Sequence, residues 1–180
     1  MGFQILSSDD ELLVYECDGY VVEKNRPDLV VFPDSTQQVS DIVRLCNENN
    51  VPFLPRGAGT SLAGGCLPVG GGVMISLTRM KRILEVNLRD RYAIVEPGLV
   101  NLHLSQHLRG TTYHYAPDPS SQGSCTIGGN IATNSGGPHT LKYGVTVNHV
   151  LGMELVLPNA EIIQTGGISE DNPGYDITGV

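Results

Sequence analysis

The sequence predicts an α+β fold, and three observations point that way. Apolar runs of strand length outnumber the helical stretches and interleave with them along the chain. The opening reads strand, helix, strand, the order of an α/β unit. Hydrophobic residues make up 40%, but aromatics only 6% with no Trp, so the interior is aliphatic and built from Val, Ile and Leu. At 180 residues the chain makes one compact domain or two small lobes sharing a core.

Residues 1–28 read as a short N-terminal helix, opened by Asp9-Asp10-Glu11 where acidic groups suit the dipole, and an approach segment. Leu29 to Phe32 is an apolar strand stopped by Pro33. A helix follows: Ser35 caps it, Gln38 completes a capping box, and Val39, Ile42, Val43 and Cys46 share one face. Asn49-Asn50 ends it, and Val51 to Leu54 returns as a strand. Val73 to Leu77 is a strand after the Gly70-Gly71-Gly72 turn. Ile83 to Asn87 and Tyr92 to Glu96 form a hairpin around the polar Leu88 to Arg91. Leu99 to Leu108 is a second helix with Gly110 as its stop, and Tyr113 to Ala116 is extended. Leu151 to Leu157 and Glu161 to Gln164 close the pattern as a second hairpin. The last ten residues finish neither a helix nor a strand, which predicts a C-terminally incomplete fold.

Charge and cysteines narrow the function classes. Eleven Lys and Arg against 19 Asp and Glu give a net charge of -8, the wrong sign for a nucleic-acid binder. The start shows no basic region followed by an apolar stretch, so no signal peptide is expected, and no apolar run nears the ~18 residues of a spanning helix. Cys17, Cys46, Cys66 and Cys125 form no Cys-x-x-Cys pair, which favours a reducing, cytoplasmic setting over a disulfide framework or a zinc site.

Glycines are the main anomaly: 22 of 180, gathered in clusters. Pro55 to Gly65 holds four of them. Successive backbone N–H groups there can approach an anion, with Thr60 and Ser61 adding hydroxyls, so a diphosphate suits the loop. The pattern is neither a P-loop nor Gly-x-Gly-x-x-Gly. A second stretch, Ser120 to Gly137, reads as another loop of the same chemistry, with hydroxyls at Ser124, Thr126 and Thr133 and glycines at 128, 129, 136 and 137. Two such loops favour one long ligand held from both sides, a dinucleotide.

Pro55-Arg56-Gly57-Ala58-Gly59-Thr60-Ser61-Leu62-Ala63-Gly64-Gly65, Pro117-Asp118-Pro119, Cys125-Thr126-Ile127-Gly128-Gly129-Asn130, Gly136-Gly137-Pro138-His139 and Lys142-Tyr143-Gly144 occur in the order seen in FAD-linked oxidases. From about Leu29 to Val180 the chain resembles that family, whose cofactor module is named after p-cresol methylhydroxylase and vanillyl-alcohol oxidase. It is most similar to the branch holding the D subunit of bacterial glycolate oxidase and the D-lactate dehydrogenases.

The resemblance implies a two-lobed FAD-binding domain, a first lobe over about 29–97 and a second, truncated, over about 98–180, without the substrate-cap domain that supplies the protein's base. It implies that Pro55, Arg56, Gly57, Ala58, Gly59, Thr60, Ser61, Gly64 and Gly65 hold the FAD pyrophosphate. Pro117, Asp118, Thr126, Ile127, Gly128, Gly129, Thr133, Gly136, Gly137, His139, Tyr143 and Gly144 fall to the flavin and ribityl side. Glu154, Val156 and Ile162 lie near the adenine. Where covalent relatives carry a His after the first glycines, Thr60 and Ser61 stand, which implies non-covalent FAD.

The activity implied is oxidation of a small 2-hydroxy acid, glycolate or D-lactate, by hydride transfer to flavin, with the 180 residues alone inactive. Two rivals remain: a non-catalytic FAD-binding subunit of a glycolate oxidase complex, and a flavoenzyme like UDP-N-acetylenolpyruvoylglucosamine reductase. An iron–sulfur or companion flavin subunit is the expected partner, at the cytoplasmic side of the inner membrane. A sheet left incomplete also predicts self-association. His103 and His107, four apart on a helix, read as solvent-facing, and His114 as structural. Arg56 either counters phosphate or braces its loop.

Overall fold

The computed structural model describes residues 3–168 and 178–179. Its largest sheet has four strands, β1 (Gln4–Leu6), β2 (Leu29–Phe32), β3 (Phe53–Arg56) and β4 (Val73–Ser76), in the spatial order β1-β2-β4-β3. β2, β4 and β3 run parallel, and β1 adds an antiparallel edge. Parallel neighbours need a crossover. Between β2 and β3 that crossover is the long helix, the second in the chain after α1 (Asp9–Leu12); it is α2 (Thr36–Glu48).

Side-chain alternation assigns the two sheet faces. Val31 and Ile75 meet Ile42, Val43 and Cys46 of α2, while Val30, Phe32 and Met74 point the other way onto Leu12 of α1. With both faces covered, β2 and β4 read as continuous apolar runs. Ser35 caps α2 as expected, its Oγ accepting from Gln38 N at 3.3 Å. The Gln38 side chain reaches back one residue further than a capping box requires, to Asp34 N at 2.7 Å. Pro55 is tolerated because β3 is an edge strand.

The two hairpins form as expected: β5 (Ile83–Asn87) with β6 (Tyr92–Val95), and β7 (Gly152–Val156) with β8 (Ile162–Gly166). The β7–β8 turn docks on α2. Ser40 Oγ and Asn47 Nδ2 donate to the carbonyls of Ala160 and Pro158, both at 2.7 Å, and Ala160 joins the α2 core. A third cluster, Leu99, Leu104 and Ile127, joins α3 (Asn101–His107) to α4 (Ile127–Ala132). The short α5 (Thr140–Tyr143) follows.

Three expectations are corrected. The N-terminal segment carries β1 as well as a helix, since Gln4 to Leu6 finds an open edge of the sheet that no local pattern reveals. The strand expected at Val51 to Leu54 runs two residues later, at Phe53 to Arg56, where β4 offers its ladder. The stretch 120–137 is no simple loop, because α4 lies inside it. Two glycines cost that helix roughly 0.5–1 kcal/mol each relative to alanine. Bonds outside the helix offset this: Thr126 Oγ1 caps it, and Ile127 and Gly128 donate to Leu99 and Pro97 carbonyls at 2.9 and 2.8 Å.

Candidate functional site

The loop after β3 is built from below by its own arginine. Arg56 is 6% exposed, and its guanidinium donates to the carbonyls of Tyr15 and Cys17 and to Cys66 Sγ while stacking over the Tyr15 ring at 5.5 Å. Of the two roles open to Arg56, its side chain takes the brace. Gly59 crosses directly above with φ +71, and a Cβ there would lie 2.2 Å from Arg56 Nη2. Only glycine has both the conformation and the room.

Asp18 holds the far end of the loop. It is 5% exposed and accepts from Gly64 N at 2.8 Å and Tyr20 N at 2.9 Å, while Gly19 N donates to the Ser61 carbonyl. Gly64's amide is thereby used internally. Among the described residues the N–H groups of Ala58, Gly59 and Thr60 make no hydrogen bond. They form a short run of donors on a loop fixed at both ends, the composition of an anion nest.

Gly57 brings this loop against α4. A Cβ on it would sit 2.5 Å from Thr126 Oγ1 and 3.8 Å from the Gly129 Cα. The two glycine clusters therefore meet, but with different jobs. At α4 the first three amides are all satisfied: Ile127 and Gly128 by the carbonyls above, and Gly129 by Thr126 Oγ1 at 3.3 Å. Gly128 serves packing, since a Cβ there would be 2.7 Å from Pro97 Cβ. Two equivalent nests are not what forms; one loop offers donors and the other a close-packed wall.

Beyond α4 the chain turns through Thr133, whose hydroxyl donates to the Gly129 carbonyl, and passes Gly136 and Gly137. Gly137 lies against Asp118: a Cβ would be 2.3 Å from both its carbonyl oxygen and Oδ1. Asp118 Oδ2 is 2.5 Å from His139 Nδ1. Asp118 and His139, with His114, Tyr115, Ala116 and Tyr143, line an open cleft of about 240 Å³. Burial pushes the Tyr115 hydroxyl up to about 12, the nearby Cys125 thiol adding to it, so it stays a neutral donor. Two buried asparagines hold the rear. Asn130 Nδ2 donates to Asn101 Oδ1 at 2.9 Å, and Asn101 Nδ2 to the Pro117 carbonyl at 3.1 Å, tying α4, α3 and the 117–118 segment together.

The structure thus gathers Arg56 to Gly59 with Thr126 and Gly129, and separately Asp118, Gly137, His139 and Tyr143 around the cleft. Pro55 lies in β3, and Gly144 (φ +84) closes α5 against Asn148. Glu154, Val156 and Ile162 find their partners elsewhere: Glu154 bonds Thr36, Val156 packs on the α2 core, and Ile162 pairs with Val156. His103 and His107 are exposed, and His114 stacks edge-on with Tyr143 at 5.6 Å. Asp18, Asn101 and Asn130 are the structural members that sequence reasoning missed. The signal for the last two was an uncharged amide at an apolar position of each helix.

Comparison with known proteins decides the family. The FAD binding domain family matches residues 27–166. The chain belongs to it. Glycolate oxidase subunit GlcD of Escherichia coli (strain K12) is 46% identical over 98% of this chain and 35% of its own length. The protein of the same name from Bacillus subtilis is 44% identical over 92% and 36%. D-lactate dehydrogenase of Anaerostipes hadrus is 40% identical over 93% and 34%. This FAD-binding chain therefore spans about a third of the length of the curated relatives it matches. Among solved structures, alkyldihydroxyacetonephosphate synthase superposes with TM-score 0.84 at 25% identity, over 97% of this chain and 34% of the other. Their shared fold is the oxidase FAD-binding type, with α+β elements as the sequence predicted. The open amides of Ala58, Gly59 and Thr60, and glycines that leave no Cβ between that loop and α4, fit the diphosphate of FAD.

Proposed function

We propose that this chain is the cofactor-holding part of a flavin-dependent dehydrogenase acting on a small 2-hydroxy acid, glycolate or D-lactate. The observation that carries the reading is the loop of Ala58, Gly59 and Thr60, whose amides are open among the described residues and which is held against α4 at Gly57 and by Asp18 at Gly64. Those amides hold the pyrophosphate of FAD, non-covalently, as Thr60 and Ser61 provide no imidazole. Thr126, Gly129, Thr133 and Gly136 border the flavin side, with Asp118, His139 and Tyr143 at the cleft. Bound FAD supplies a two-electron acceptor for the hydride of the substrate carbon. Residues of the chain bind it and exclude water from one side.

The names of the relatives support the substrate class, and the word subunit in two of them supports assembly with a companion such as an iron–sulfur or second flavin chain. All four cysteines are free, which accords with a reducing cytoplasm. Among the described residues no helix is long and apolar enough to cross a membrane. The division into lobes near residue 97 is part of the same reading.

The test is visible absorbance after desalting the chain from FAD, with FMN as control. Retained absorbance with FAD above FMN is expected, with no bleaching by glycolate or D-lactate. Equal loss of both flavins would overturn the cradle, and bleaching would overturn the view that the base lies outside these residues.

A further inference from the structure

Three of the chain's five histidines gather around one tyrosine in an otherwise acidic protein. His114 and His139 have ring centroids 5.6 and 6.5 Å from that of Tyr143, His149 Nε2 lies 2.9 Å from its carbonyl oxygen, and Lys142 Nζ sits 4.7 Å over its ring. The described cleft opens beside this cluster. Among the described residues His139 alone in this cluster is paired with a carboxylate, Asp118.

That pair has a direction. A carboxylate accepts and has no proton to give, so the bond to Asp118 Oδ2 places the imidazole proton on Nδ1. Neutral His139 then presents Nε2 as an acceptor, from a side chain that is 64% exposed and records no bond at Nε2 among the described residues. Asp118 is itself fixed. Its Oδ1 is buried without a hydrogen-bond partner among the described residues, pressed against Gly137, and the Pro117 carbonyl just before it is held by Asn101.

We propose that Asp118 and His139 form a hydroxyl-accepting subsite, in which Nε2 of His139 accepts a hydrogen bond from an O–H group of the ligand in the cleft. The inference rests on the flavin reading and deepens it, because two ligands of that reading carry such a group: the ribityl chain of the cofactor and the 2-hydroxyl of the substrate. An anionic group is the poorer occupant, since the Asp118 carboxylate stands directly behind the ring. Asp118 acts as a positioning residue here, setting the tautomer through His139.

Imidazole ¹⁵N NMR of the chain tests this, with His139 assigned by H139Q and the fold checked by backbone amides. In the wild type at neutral pH, Nδ1 carries the proton, and D118A abolishes that bias while the amide spectrum stays native. Adding FAD, then glycolate, locates the hydroxyl. An upfield shift of Nε2 with FAD assigns it to the ribityl chain, and a shift that waits for glycolate assigns it to the substrate. If the amides of residues 58–60 respond to FAD while Nε2 responds to neither ligand, the subsite is overturned and the cradle stands. If those amides ignore FAD, the cradle falls, and the glycolate arm alone decides the subsite, an unmoved Nε2 again overturning it.

Discussion

Gly57 does at a single residue what the site needs, letting a loop touch the cap of α4 with no side chain of its own between them. Replacing it with alanine puts a methyl 2.5 Å from Thr126 Oγ1, so the loop must lift off α4. We expect G57A to weaken FAD binding about tenfold, or about 1.4 kcal/mol, with little change in Tm. Gly59 and Gly64 share φ +71 but not their surroundings, since Gly64 has open space where Gly59 has a guanidinium. G64A therefore carries only the backbone cost of roughly 1–2 kcal/mol, whereas G59A also dislodges Arg56. A larger fall in urea midpoint for G59A than for G64A is the expected outcome, and equal falls would deny the Arg56 brace.

At the scale of elements, the sheet depends on residues buried between two helices. Met74 is fully buried at the centre of β4, and M74A is expected to cost about 2–5 kcal/mol in chemical denaturation. The β5–β6 hairpin is pinned by Glu96, which accepts from Arg82 N at 2.7 Å and from its guanidinium at 2.7 and 2.9 Å. Burial alone would raise that carboxyl, but the Arg82 bonds outweigh it and leave it lowered. A carboxyl lowered in the folded state stabilises above its unfolded value of about 4.3, and that share is lost as pH falls through the folded value. E96Q is thus expected to be less stable than wild type at pH 7, with the difference closing in acid. Melting curves from pH 7 to pH 3 check it, and a gap constant with pH would contradict the assignment.

Over the whole molecule, legibility in the sequence followed the range of the forces involved. The helix α2 and both hairpins announce themselves through caps, periodicity and turn residues within a few positions of each other. So does the loop of Pro55 to Gly65, because glycine clusters are visible locally. α4 was hidden because its glycines disfavour a helix in isolation, and its stability comes from Pro97, Leu99 and the third core cluster. Asp18 was hidden for the same kind of reason: its bond to Gly64 spans 46 positions. Asn101 and Asn130 meet only after α3 and α4 pack. What the sequence conveyed as two similar loops is, in three dimensions, one donor loop and one wall.

In the function proposed above, residues 57–60, seated on α4, hold the diphosphate of FAD. Isothermal titration of the wild type and G57A with FAD and FMN tests it most directly. We expect the wild type to bind FAD in preference to FMN and G57A to lose that preference. Equal binding of both flavins by the wild type, or an unchanged preference in G57A, would contradict it.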